Sequence, residues 1–258
     1  CIQMPIIISS NSDGGPISHK VLLLFQAYFS RMLLRIELQW DVQIILQKAV
    51  PLVNSAIDIL SSDGCLNATT GMDISQMLIQ GVWDTDNPLK QIPFFDGSIL
   101  KKCEEKGVET VYDVMALEDD ERDAIMTMDN RKLVKVANFI NNFPNIELEY
   151  SLDNSKPLAV GESREVNVTL TRDEAPETLE VTSEKYPHEK LESWWLVIGE
   201  ISTKQLYATK KVSLSKETQS YSLDFTINQQ GEHELTLWCV CYSYLDADKE
   251  VSFQVNVA

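Results

Sequence analysis

Hydrophobic positions keep a helical period through the first part of the chain and switch to a strand period after Pro144. The stretch HKVLLLFQAYFSRMLLRIEL sets Leu22, Phe25, Phe29, Leu33 and Ile36 on one stripe, which Val21, Leu24, Tyr28 and Met32 widen. That pattern predicts one helix running to about Leu38, with an apolar face wide enough for the inside of a bundle. A second helix follows, with Val42, Ile45, Leu46, Ala49, Leu52, Val53, Ala56, Ile57 and Leu60 on its apolar side. Its opposite face reads Gln43, Gln47, Val50, Asn54 and Asp58, with Lys48 as the one cation at its margin. The period runs straight through Pro51, although an interior proline costs a helix roughly 3 kcal/mol. Ser61-Ser62-Asp63-Gly64 should end it, glycine suiting a left-handed cap. A third helix, MDISQMLIQGVW, should end at the turn from Asp84 to Pro88, and shorter helices are expected at 96–106, 109–116, 118–127 and 130–142. Residues 1–15 read as irregular.

Beyond Pro144, the segments IELEYSL, REVNVTLT, WWLVIGEI, QLYATKKVSL, QSYSLDFTI, HELTLWCVCYSY and KEVSFQVNV alternate or run apolar between polar clusters. Seven such strands suggest an immunoglobulin-like sandwich of the fibronectin type III kind, with a long acidic surface loop from Asp173 to Lys190. WWLVIGEI and LTLWCVCYSY are apolar on both faces, as strands at the centre of a sheet or packed on the helical unit would be. The fold class is therefore α+β: a partial helical bundle over 1–93, a helix-loop-helix unit over 94–145 and an all-β sandwich over 146–258.

Charge narrows the function. The formal net charge is -17, and both parts are acidic, with 12 basic against 19 acidic side chains in residues 1–145 and 10 against 20 in 146–258. Such a field repels polyanions. Five cysteines with no CxxC spacing argue against a disulfide framework or a zinc site and for a reducing compartment; Cys239 and Cys241 read as buried apolar residues. Asn67-Ala-Thr69 and Asn167-Val-Thr169 fit the glycosylation triplet, a pattern that arises by chance. No run approaches 18 apolar residues, and the chain begins without Met, as an excised fragment would. There is no GxxxxGK[ST] or GxGxxG loop, and His19, His188 and His233 are scattered, with ordinary surface roles expected for His19 and His233. The run Glu118-Asp119-Asp120-Glu121 reads as the acidic first turn of a helix rather than a metal site. These observations describe a non-catalytic module with no cofactor and no metal.

The order LLLFQAYFSR, long helix, QMLIQGVWDTDNPLKQIPFF, KGVETVYDVMALEDDER, NFINNFPNIELEY, WWLVIGE resembles, over residues 17–258, the Brl domain family. That unit is shared by the translocon J-protein and the large superfamily 2 DExH-box helicases. The likeness is greatest to the second, C-terminal cassette of the spliceosomal helicases, in a fungal version. The resemblance implies a ratchet-like helix over 41–60, whose nucleic-acid-facing arginine positions fall here on Pro51 and Asn54. It also implies a helix-loop-helix whose phosphate-binding turn is here Thr127-Met128-Asp129-Asn130, without glycine and with a carboxylate. Both departures point away from RNA. What is implied is a nuclear, monomeric platform for splicing-factor proteins and for the N-terminal helicase cassette of the same chain. It would regulate that cassette, with little or no direct nucleic-acid binding and no membrane. One of Trp194 and Trp195, which face opposite ways, is the candidate protein-interaction residue. The alternative is a ratchet module that contacts single-stranded RNA through Lys101, Lys102 and Lys106 or Arg131, Lys132 and Lys135.

Overall fold

The computed structural model describes residues 16–153, 155 and 157–258, so the expected irregular segment 1–15 lies outside the described residues. Among the described residues, seven helices precede seven strands: α1 (Pro16–Phe29), α2 (Ile36–Ser62), α3 (Ala68–Gln80), α4 (Gly97–Glu105), α5 (Val111–Ala116), α6 (Asp119–Ile125) and α7 (Asn130–Asn142), then β1 (Ile146–Leu152), β2 (Ser163–Arg172), β3 (Trp194–Glu200), β4 (Gln205–Val212), β5 (Thr218–Thr226), β6 (Gly231–Cys241) and β7 (Lys249–Val257). A 3-10 turn, Pro88–Gln91, lies between α3 and α4.

The first helix is shorter than its stripe. α1 stops at Phe29, and Arg31 takes a left-handed φ of 53°. Its guanidinium donates to Gly81 O at 3.2 Å and Gln80 O at 3.1 Å, drawing the chain onto the end of α3. Leu33 and Ile36 therefore leave the α1 stripe, and Leu33 is fully exposed at 100%. α3 likewise ends before Trp83, because Gly81 takes the left-handed cap at φ 62° and donates to Met77 O.

α2 is continuous through Pro51 and longer than expected, and its N-terminal extension lies outside the expected span. By length and composition it would suffice to cross a membrane, but its buried line, Val42, Leu46, Val50 and Ile57, packs on α1, α3 and the sheet. Val50, placed on the polar side by sequence, is buried; Leu52, placed on the apolar side, is exposed. Val50 joins the core that α2 shares with α1, α3 and the sheet, while Leu52 lies outside that core. Gly71 sits so close to α2 that a Cβ there would meet Ile57 Cγ1 at 2.7 Å.

The strands form two antiparallel sheets, in order β1-β2-β5 and β4-β3-β6-β7. Between them lies a core that includes Trp194, Leu196, Ile198, Val166, Val168, Phe225, Cys239 and Cys241, and it continues into the helix-loop-helix through Phe139, Phe143 and Val114. The outer face of the four-stranded sheet is covered too. Trp195, Val197, Val240 and Tyr242 join Leu46, Val50, Ile57, Met72 and Ile79 in a second core. β3 and β6 are thus both central and helix-covered, which explains apolar residues on both of their faces.

Backbone bonds fasten the α2–α3 turn to β4: Leu206 N donates to Gly64 O at 2.8 Å and Leu66 N to Lys204 O at 3.1 Å. Gly64 has φ 67°, and a Cβ there would run into the Gln205 amide, so the position suits glycine alone.

Candidate functional site

The surface of α2 is the first candidate. Its buried line leaves another helical line outward, with Ile36, Trp40 and Ile44 spaced four apart and 60%, 62% and 60% exposed. Lys48 and the exposed Leu52 continue that line toward Pro51. A helix that keeps large apolar groups in water over several turns presents a docking face.

The two ratchet-like positions have separate surroundings. Pro51 is exposed, and its carbonyl accepts from Ser55 Oγ at 3.1 Å. Asn54 is half-buried against the sheet, where its Oδ1 accepts from Tyr242 Oη at 2.9 Å. Asn54 is therefore occupied in holding α2 to Tyr242, the residue that follows β6, rather than standing free.

The cationic groups of the helix-loop-helix are also divided. Lys101 pairs with Glu105, and Lys102 Nζ caps the end of α6 through Ala124 O at 3.2 Å and Ile125 O at 3.3 Å. On α7, Lys132 and Lys135 lie over the Phe94 ring at 5.5 and 5.7 Å. Asp129, in the glycine-free turn, is the N-cap of α7 and accepts from Lys132 N at 3.1 Å, so its carboxylate has a structural duty. The acidic run does cap a helix: Glu118 and Glu121 form a capping box on α6.

Neither tryptophan reaches the surface. Trp194 fills the space between the sheets and donates to Glu192 Oε1 at 2.8 Å; Trp195 lies in the core under α2. Alternation does send them to opposite faces, but both faces are covered, so neither indole is offered to a partner as expected. The surface role expected for His233 also fails. It is buried, with Nδ1 at 3.3 Å from Glu200 Oε2 and Nε2 at 3.1 Å from Gln229 O.

Two arrangements escaped the sequence. Gln76, Gln80 and Gln91, all buried, donate to Cys241 O at 2.8 Å, Ser243 O at 2.8 Å and Leu245 O at 2.9 Å, fixing the chain that leaves β6. Spacing could have hinted at Gln76 and Gln80, four apart on an otherwise apolar helix face. Lys190 and Lys211 converge on the Tyr242 ring from segments distant in sequence, and no local pattern announces that.

Comparison with known proteins gives a consistent picture. A family model described as the Sec63 Brl domain matches residues 3–254. The chain is 39% identical over 245 residues to the DExH-box ATP-dependent RNA helicase DExH13 of Arabidopsis thaliana, covering 92% of this chain and 11% of that protein. It is 38% identical over 239 residues to the human U5 small nuclear ribonucleoprotein 200 kDa helicase, with the same coverage of 92% and 11%. To the pre-mRNA-splicing factor brr2 of Schizosaccharomyces pombe it is 35% identical over 259 residues, 99% of this chain and 12% of that protein. The chain thus spans about a tenth of the length of these relatives. Among solved structures, the CARDB domain of PF1109 from Pyrococcus furiosus aligns with 45% of this chain and 94% of its own at 16% identity, with a TM-score of 0.32.

Proposed function

We propose, from the premise that this chain belongs to the Sec63 Brl domain family, that it is a non-catalytic module of a spliceosomal DExH-box RNA helicase. In this reading it is the C-terminal unit of the second cassette, of fungal type, working in the nucleus. It is a docking platform for splicing-factor proteins and for the N-terminal helicase cassette, which it regulates. The strand order β1-β2-β5 and β4-β3-β6-β7 supports the fibronectin type III assignment of its β part.

The observation that carries the reading is the apolar line of Ile36, Trp40 and Ile44, exposed among the described residues of an otherwise acidic chain. Apolar contact, unlike phosphate binding, does not need net positive charge. The test is reconstitution with the remainder of the parent protein and with splicing-factor candidates, using Trp40→Glu and Ile44→Glu. Loss of association with an unchanged fold supports the platform; association indifferent to both substitutions refutes this surface as its basis.

A second reading, direct contact with single-stranded RNA, draws support from Lys132 and Lys135, which lie over Phe94 with no ion pair among the described residues. It predicts binding that weakens steeply with salt and falls in Lys132→Ala. The overall charge and the turn carboxylate Asp129 weigh against it.

A further inference from the structure

The acidic loop after β2 lines a cavity of about 540 Å³, within the roughly 300–1,000 Å³ of ligand pockets. Ile140, Phe143 and Pro144, from the end of α7 and the turn into β1, give it an apolar lining together with Met115 of α5. Asp173, Glu174 and Glu177 of the loop are exposed at it and make no ion pair among the described residues. Arg172 and Glu192 line it too, and both side chains are more than nine-tenths buried, at 8% and 5% exposure. Four carboxylates thus face the cavity against one guanidinium.

Glu192 is held firmly in place. Its backbone N–H donates to Leu179 O at 2.7 Å, and its Oε1 accepts from Trp194 Nε1 at 2.8 Å and from Arg172 Nη2. Arg172 is itself fixed in β2 opposite Ile146, and its backbone N–H donates to Glu217 O at 2.8 Å. The other carboxylate oxygen is idle. Among the described residues Glu192 Oε2 has no hydrogen-bond partner and is not enclosed, so its free side opens on the cavity that Glu192 lines. A carboxylate so far removed from water is stabilised by a donor on each oxygen, and here one oxygen lacks it. Arg172 offsets one negative charge and leaves three, so what the cavity lacks is a cation.

We infer that this cavity receives one lysine or arginine side chain from a partner protein, its cationic head donating to Glu192 Oε2 beside the carboxylates of Asp173, Glu174 and Glu177. A long basic side chain fits both parts of the lining, because its methylene stem covers apolar surface such as Ile140 and Met115 while its head meets the charge. The four carboxylates oppose a nucleic acid. Among the described residues no group of three or more His, Cys, Asp or Glu could hold a metal ion, which favours an organic cation. The inference rests on the platform reading in taking its ligand to be a protein. It adds a second contact to that platform, since none of the lining residues belongs to α2.

Trp194 supplies the reporter, because its indole N–H is bonded to the carboxylate that the ligand engages. The whole chain, labelled with 15N, is titrated with acetyl-Gly-Gly-Arg-Gly-Gly-amide, its lysine counterpart and its glutamate counterpart, each to millimolar concentration at low salt. The site requires that a basic peptide shift the assigned Trp194 indole signal, that added salt weaken this response and that the glutamate peptide leave the signal unmoved. Glu174→Lys and Glu177→Lys together reverse two exposed charges of the rim. They should weaken binding about tenfold, two contacts of the strength of exposed ion pairs, and leave the thermal midpoint where it was. A Trp194 signal that ignores both basic peptides overturns the site. So does an equal response to the glutamate peptide, or an affinity indifferent to the reversed rim. The α2 line is read separately by Trp40→Glu and Ile44→Glu, so failure here is distinguishable from failure of the platform.

Discussion

The Gln91 side chain holds the backbone of Leu245 at both ends: its Nε2 donates to Leu245 O at 2.9 Å, and its Oε1 accepts from Leu245 N at 3.1 Å. Both residues are buried, so neither bond can be replaced by bulk water. Gln91→Leu would leave a buried N–H and C=O unpaired, each worth about 1–3 kcal/mol. We expect Gln91→Leu to destabilise the fold by about 3 kcal/mol in urea unfolding, with an unchanged slope. A loss below about 0.5 kcal/mol would mean that the segment after β6 is not held this way.

Much of this architecture was legible in the sequence. The seven strands fall where alternation placed them, β1 and β7 to the residue, and α7 matches its expected span. Those elements are bounded by polar clusters and caps, which are local signals. The errors are tertiary. Nothing near Leu33 announces that Arg31 will turn the chain toward Gly81, and a run of apolar residues reads as one helix until that bond is known. Trp194 and Trp195 fail as surface residues for the same reason: alternation gives opposite faces, but only the docking of α2 and α3 says that the second face is covered. Pairings such as Tyr242 with Asn54, or Lys190 with Lys211, join residues whose proximity depends on the whole fold.

Glu200 supplies a pH dependence. Burial pushes its carboxyl up, but hydrogen bonds from Tyr207 at 2.9 Å, Thr203 at 3.0 Å and His233 at 3.3 Å together outweigh that and hold it below its ordinary value. A carboxyl whose folded pKa is depressed stabilises the fold above its unfolded value near 4.3, and that contribution disappears as pH falls through the folded value. Urea midpoints measured from pH 7 down to pH 3 should therefore decline more steeply in the natural chain than in Glu200→Gln. The variant should be less stable at pH 7, because the cluster loses its charge; parallel curves would rule out this contribution.

The exposed and buried tryptophans should separate stability from docking. Trp195→Ala removes a ring from the core under α2 and should cost about 3–5 kcal/mol. Trp40→Ala removes a ring that is mostly in water and should change stability by no more than about 0.5 kcal/mol. Thermal and urea unfolding of the two variants decide the matter. A large loss for Trp40→Ala would show that this ring supports the fold, and the apolar line would lose its standing as a free docking face.

Pro51 allows shape and charge to be told apart. Its ring nitrogen carries no proton, so the Gln47 carbonyl lacks its usual partner one turn on, in a helix that is otherwise continuous. Because Pro51 is exposed, the defect serves no packing need among the described residues. Pro51→Ala should restore the bond and recover much of the roughly 3 kcal/mol penalty. Relaxing the unfolded chain returns about 0.4–1 kcal/mol of that, leaving a net gain of about 2 kcal/mol. Stability alone would not give α2 a hold on RNA, since a phosphate needs a cation and alanine supplies none. Fluorescence anisotropy with single-stranded RNA should therefore show no gain for Pro51→Ala, while Pro51→Arg gains binding that fades with salt. Should alanine alone create binding, the helix would have been kept from RNA by its proline rather than by its missing charge.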